Sequence, residues 1–383
     1  MAALSHVGYI VSHYPHKAFG HDGGLGTSVY NLVENLSEKI KVSVFVYGQQ
    51  KDFVITEGNQ TLYSIKSPAT KLGFYYNRKH IEQFVNDKIK KDHIQLIEAP
   101  DWTGITALMN FPVPLVIRFH GSDAYFCHIE GRKQKFKNKL FESLAVKNAH
   151  SYIAPTTFAG EVSKELFKIK DKEVRTIHYG LELEKFHNPS PDDFEEGLVL
   201  YMGTLIRKKG VLELPEIMQK VVKEYPNAKL LMAGSDAPDI RTGANSTWQL
   251  MQDKMSEEVK GCVTYLGRVP YTEISELVKK AHVCVFPTYA ETLGMVTIES
   301  MVMQKPVVNS NIGWAQELME DGKSGYLVHP SNHDLYAERI VALLKDKELC
   351  KQMGVEAKKY VTEKFDIKKQ VDKNIAYYEE ILS

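Results

Sequence analysis

Phe286-Pro287-Thr288-Tyr289-Ala290-Glu291-Thr292-Leu293-Gly294-Met295-Val296-Thr297-Ile298-Glu299-Ser300-Met301-Val302-Met303, closed by Lys305-Pro306, reads as strand, tight loop and helix start. Val283 to Phe286 is a short apolar run with β-branched members, the pattern of a buried strand. Pro287 stops it, and Gly294 permits close approach of backbone to a ligand. Val296 to Met303 has helical character, and Pro306 follows its end. Two carboxylates, Glu291 and Glu299, flank the turn. On one continuous helix they would lie about 80° apart in rotation and about 12 Å apart along the axis. With Glu291 in the loop and Glu299 in the helix, both can face a long ligand lying across the helix N-terminus. That terminus supplies N–H groups and partial positive charge, which suit a phosphate. The competing reading is a surface loop and an ordinary helix with two solvated glutamates.

The run Ala290-Glu291-Thr292-Leu293-Gly294-Met295-Val296-Thr297-Ile298-Glu299 resembles the E-x7-E signature of the retaining glycosyltransferases of family 4. The resemblance spans nearly the whole chain, closest over residues 198–330.

At 383 residues the chain fits two domains of moderate size. Its formal net charge of zero gives no general attraction to nucleic acid. Cys127, Cys262, Cys284 and Cys350 are far apart and in no metal-ligand spacing, which suggests buried thiols in a reducing compartment. The first apolar run, Val7 to Val11, is too short for a signal peptide, and no run reaches transmembrane length. A cytoplasmic protein is expected, with peripheral membrane contact open.

In chain order, Val7 to Val11 reads as a buried strand, followed by Ser12-His13-Tyr14-Pro15-His16 and a glycine loop through Asp22-Gly23-Gly24-Leu25-Gly26. Val29, Leu32, Val33 and Leu36 then share one helix face. Strand, glycine loop and helix can hold a phosphate or can be a plain tight βα turn. Position 29 is valine, so the dinucleotide fingerprint G-x-G-x-x-G fails. Ile94 to Ile97 leads into Glu98-Ala99-Pro100-Asp101-Trp102, where strand ends place ligands. Asp101 and Trp102 either face an acceptor or cap and pack under the next helix. Pro114 to Phe119 ends in His120-Gly121, again at a strand's carboxyl edge.

Gly131 to Ala149 reads as one basic helix with Phe136, Leu140 and Leu144 on an apolar face. It either packs on the core with a solvated basic side or meets an anionic membrane or acceptor. Residues 188–197 are polar and carry prolines, the composition of a linker. Strand and helix then alternate again. Gly203-Thr204-Leu205-Ile206-Arg207-Lys208-Lys209-Gly210 is a cationic loop between a strand and a helix, suited to a diphosphate. Where the family usually has Arg after the first glycine, this chain has Thr204; Lys209 matches the later lysine.

The expected fold is α/β, of the GT-B type: two facing Rossmann-like doubly wound domains with an interdomain cleft. The boundaries are 1–188 for an acceptor-side domain, 198–363 for a nucleotide-sugar domain, and 364–383 for a last helix crossing back. The resemblance implies transfer of a hexose-type sugar, with retention, from a nucleotide-diphosphate donor, most commonly a UDP-sugar, to an acceptor hydroxyl. It implies catalytic roles for His120, Glu291, Lys209 and Arg207. It places Gly23, Gly24, Arg268, Val269, Thr292, Leu293, Gly294, Met295 and Glu299 on the donor. His13, Tyr14, Asp101 and Trp102 are acceptor candidates, the acceptor being a saccharide, a lipid-linked sugar or a small metabolite. No Asp-x-Asp pair occurs, so no metal and no cofactor are expected. A GT-B epimerase or phosphorylase, or a non-catalytic bilobal sugar-binding protein, are the alternatives.

Overall fold

The computed structural model describes residues 3–19, 24–67 and 73–383. Contacts divide it into two units, Met1–Glu182 with Asp366–Ser383, and Leu183–Phe365. The first unit carries β1 (His6–Val11), β2 (Lys41–Gln49), β3 (Phe53–Glu57), β4 (Gln60–Lys66), β5 (Leu96–Pro100), β6 (Leu115–Arg118), β7 (Ser151–Ala154) and β8 (Val174–Thr176). Their order is β3-β4-β2-β1-β5-β6-β7-β8, parallel except where β3 runs antiparallel to β4. Every residue of β1 is buried, as a strand covered on both faces requires.

The second unit carries β9 (Leu198–Met202), β10 (Lys229–Ala233), β11 (Val263–Tyr265), β12 (Val283–Phe286), β13 (Val307–Asn309) and β14 (Tyr326–Leu327). They form a parallel sheet in the order β11-β10-β9-β12-β13-β14. In both sheets the order reverses beside the first strand. Connections leave β1 and β5, or β9 and β12, toward opposite faces, and open α/β sheets bind ligands at such points. The sequence repeat of apolar run, turn and amphipathic helix produces this pattern. In the second unit, for example, helix Leu214–Glu224 buries Ile217, Met218, Val221 and Val222 against Ile340 and Leu343 of helix His333–Lys345. Each such side chain contributes about 1.5–3 kcal/mol on leaving water.

Helix Ile367–Leu382 belongs to the first unit. Its Val371, Tyr377 and Tyr378 share a core with Val7, Val33 and Leu36. Beneath it Arg118 donates to both oxygens of Glu98, at 2.7 and 2.9 Å, and to Asn374 Oδ1 at 2.5 Å. Tyr378 donates to Glu98 Oε2 at 2.6 Å. A buried ion pair is tolerated when its remaining atoms are also bonded, as here. A Cβ on Gly180 would sit 2.5 Å from Ile367 Cα, so glycine is what lets the two segments cross.

Two expectations need correction. The basic segment Gly131–Ala149 is helical over Phe136–Lys147 only: Gly131, at φ +65°, and residues 132–135 separate that helix from a preceding one, Asp123–Ile129. The second helix turns Glu142, Ala145 and Val146 inward and leaves Phe136 79% and Leu140 43% exposed. The buried Glu142 carboxylate sets this rotation, because it accepts the first N–H groups of the preceding helix, from Asp123 and Ala124. Residues 188–197 also do not behave as a solvated linker. Asn188 donates to Met303 O at 3.0 Å, Lys305 donates to Pro191 O at 3.0 Å, and Phe194 stacks on His282. The segment packs on the second unit, which begins at Leu183. Among the described residues no helix is long and apolar enough to cross a membrane.

Candidate active site

In the second unit the loops after β9 and β12 are fastened together. Arg207–Lys209 is a single 3-10 turn that ends at Gly210, φ +69°. A Cβ there would lie 1.6 Å from Pro287 O, so only glycine fits the contact. Lys208 O accepts the N–H groups of Tyr289, at 2.8 Å, and Ala290, at 3.2 Å. The result is an ion pair between Lys209 Nζ and Glu291 Oε1. Burial alone would raise the Glu291 pKa, but the charges of Lys209 and Lys208 outweigh it and hold the carboxyl below its ordinary range.

Gly294, φ +102°, caps helix Met295–Val302, and Glu299 lies within that helix. Glu299 is 7% exposed and accepts a hydrogen bond from Tyr271 Oη at 2.9 Å. Burial pushes its carboxyl up to about 7, against the lowering effect of Tyr271. Thr292 and Leu293 are buried and Met295 half-buried. Arg268 is exposed and Val269 half-buried, just after Gly267, whose carbonyl accepts from Gly234 N–H at 2.8 Å. Arg207 turns one edge of its guanidinium to Asp239. Its Nε and Nη2 donate to the two oxygens of Asp239, at 2.9 and 2.8 Å. Thr242 adds bonds to the same carboxylate, which Arg207 holds well below the usual range. Arg207 therefore anchors the 236–247 loop.

In the first unit His120 follows β6. Its N–H donates to Asp101 Oδ1 at 2.9 Å, and its Nδ1 lies 2.7 Å from Tyr179 Oη, with the two rings stacked at 13°. Burial, then the charge of Arg118, lowers its pKa to about 3, so the ring is neutral. His120, Arg118, Tyr179, Gly180, Ser28 and Asn374 line one small cavity. Asp101 is fully buried, and burial followed by the charge of Glu142 raises it to about 7. It neither faces an acceptor nor caps the short turn Trp102–Gly104, because its side chain serves His120 instead. Tyr14 is likewise buried, edge-on to Tyr30, and out of an acceptor's reach. His13 and Trp102 are exposed. Gly24 opens helix Gly24–Leu36; Gly23 lies outside the described residues.

Each half of the chain matches a family model: "Glycosyltransferase Family 4" over residues 22–185 and "Glycosyl transferases group 1" over residues 183–360. An uncharacterized glycosyltransferase of Methanocaldococcus jannaschii is 30% identical over 294 residues, 72% of this chain and 72% of its own. The chain belongs to the family 4 glycosyltransferases. A second uncharacterized glycosyltransferase of that organism is 24% identical over 364 residues, covering 94% of this chain and 95% of its own. Among solved structures, this glycosyltransferase is similar to sucrose-phosphate synthase of Thermosynechococcus elongatus, with a TM-score of 0.78, 19% identity and coverage of 98% and 99%. It is also similar to Anabaena HepE, with a TM-score of 0.72, 17% identity and coverage of 98% and 99%. The two α/β units are those of the GT-B fold.

Several residues of this glycosyltransferase that shape the site escape a sequence reading. Tyr179, Tyr271 and Asp239 are partners of His120, Glu299 and Arg207 from distant parts of the chain. Gly26 was readable as part of a glycine loop, but its use was not. A Cβ there would lie 2.8 Å from His13 O, so it lets the loop after β1 rest on the helix start.

Proposed function

We propose that this glycosyltransferase moves a hexose-type sugar from a UDP donor to an acceptor hydroxyl, with the anomeric configuration retained and no metal ion required. The observation that carries the reading is the Lys209–Glu291 pair, held where the β9 and β12 loops meet, with Glu299 one helix turn beyond Gly294. Lys209 supplies a positive charge to the departing diphosphate, the task that a metal performs elsewhere. Glu299 accepts hydrogen bonds from the ribose hydroxyls. Glu291, kept ionised by Lys209, accepts from sugar hydroxyls and stabilises positive charge at the anomeric carbon. Backbone N–H groups from Thr292 to Met295 lie on phosphate or sugar oxygens, and Arg268 and Val269 lie by the base. His120 acts as a neutral hydrogen-bonding group toward the sugar.

A double displacement requires a free carboxylate nucleophile. Glu291 is engaged with Lys209, which favours a same-face route in which the leaving phosphate oxygen takes the acceptor proton. HepE has been solved in complex with UDP-glucose, which supports the choice of donor. The relatives favour transfer over the epimerase, phosphorylase and binding-protein readings. Free cysteines, three of them buried, suit a reducing, cytoplasmic setting.

The test is to incubate the protein with UDP-hexoses in chelator and follow release of UDP, then to read the anomeric configuration of the product by NMR. Slow cleavage in chelator and a retained product are expected. No cleavage of any nucleotide sugar rejects transfer; strict need for a divalent ion rejects metal independence; an inverted product rejects retention.

A further inference from the structure

Large exposed apolar side chains in the first unit are concentrated in one place. Tyr75, Tyr76, Trp102, Leu108, Phe136 and Leu140 are all at least 43% exposed; Val54, on β3, is the other such residue of this unit among those described. The six come from three segments in direct contact. Arg78, on the helix Gly73–Asp92, donates to Thr103 O at 3.2 Å and Gly104 O at 2.9 Å, and its guanidinium lies 5.0 Å from the Phe141 ring centre. Lys79 donates to Leu108 O at 3.0 Å. Gly104 touches the backbone of Phe141 so closely that a Cβ would lie 2.3 Å from its carbonyl. Single exposed apolar residues are ordinary, but a contiguous group marks an interaction surface.

The rim is positive. Residues 132–139 hold five basic side chains, and Lys133, Lys135 and Lys139 are exposed and form no ion pair among the described residues. The neighbouring acids are already engaged: Glu142 with backbone N–H groups, Glu130 with Arg132, and Glu82 with Lys79. Protein interfaces are depleted in lysine. Nucleic acid would leave Phe136 and Leu140 in water. Aliphatic and Phe side chains beside Tyr, Trp and lysine match the layers of a bilayer interface.

We propose that this face docks on an anionic lipid bilayer. Phe136 and Leu140 enter the acyl boundary, Tyr75, Tyr76 and Trp102 lie at headgroup depth, and the lysines meet lipid phosphates. Docking stands on this surface alone; that the acceptor is carried by lipid rests in addition on the transferase reading.

The full chain should co-sediment at low salt with phosphatidylcholine vesicles containing phosphatidylglycerol, but not with phosphatidylcholine alone. Removing the three lysines together as Lys133→Ala, Lys135→Ala and Lys139→Ala should lower partitioning about a hundredfold, at about fivefold for each charge near an anionic leaflet. Phe136→Ser with Leu140→Ser should also release the protein, while circular dichroism and hydrolysis of UDP-sugar stay unchanged. No binding to the anionic vesicles, or equal binding by both variants, overturns the proposal. So does a dimer that Phe136→Ser with Leu140→Ser dissociates in a protein that ignores vesicles. Vesicle binding without cleavage of any nucleotide sugar keeps the docking and removes the transferase reading.

Discussion

The two sheet switch points share a topology and differ in charge. Beside β9 and β12, the charges of Lys209 and Lys208 keep Glu291 ionised despite its burial. After β5 and β6, beside the buried Arg118–Glu98 ion pair, burial acts on groups that have no opposite charge at hand: it lowers the His120 pKa and raises that of Asp101. On the reading proposed above, the first set of groups would serve a diphosphate and the second an uncharged polyol. The contrast follows from desolvation, which favours whichever form of a group is uncharged unless a partner charge stands close by.

The sharpest way to break the contrast is Lys209→Ala. It should reduce the turnover number about a hundredfold to a thousandfold, the scale of losing one group aimed at developing charge. Steady-state kinetics with wild-type turnover would remove the leaving-group role. Next, Glu299→Ala should weaken UDP binding about tenfold to a hundredfold, as expected for hydrogen bonds to a charged group. Calorimetry should also show wild-type affinity rising with pH through about 7, as the Glu299 carboxylate ionises. A pH-independent affinity would contradict the ribose role.

Asp101→Asn tests the second set of groups through stability. In the folded protein Asp101 titrates near about 7, against an ordinary value of 3.8, so the folded state holds the extra proton. Its contribution to stability is complete below the ordinary value and is lost as pH rises through the folded one. Asn keeps the acceptor for His120 N–H without the charge. Urea unfolding should therefore find the variant more stable by roughly 1–3 kcal/mol at pH 8 and little changed in acid. The smallest effect on turnover should come from Arg207→Ala. It should leave catalysis near wild type while amides of the 236–247 loop exchange faster, because Asp239 loses its partner. A large loss of turnover would return Arg207 to the diphosphate.

What sequence revealed was local. Apolar runs marked β1, β9 and β12, glycine and proline marked their ends, and Glu291 and Glu299 declared themselves by spacing and resemblance. The partners were not legible. Arg207 and Asp239 are 32 positions apart, and His120 and Tyr179 are 59 apart, so their pairing is made by the sheet and leaves no trace in either segment. Helical periodicity showed that Phe136 and Leu140 share a face, but not which way it points. Buried Glu142 decides that, and a glutamate on a lysine-rich helix gives no sign of being buried. The hairpin strand β3, too short and mixed to stand out, was also missed.

Helix Ile367–Leu382 has a consequence for the order of synthesis. The second unit is one continuous stretch, so all its parts have emerged from the ribosome once Phe365 has cleared the exit. The first unit begins earlier and finishes later. Until Asn374 and Tyr378 arrive, Arg118 and Glu98 have each other but lack the bonds that satisfy their remaining atoms. The usual succession of N-terminal domain first is therefore reversed at the last step. The half of the molecule that is started first is the half most exposed to a premature stop.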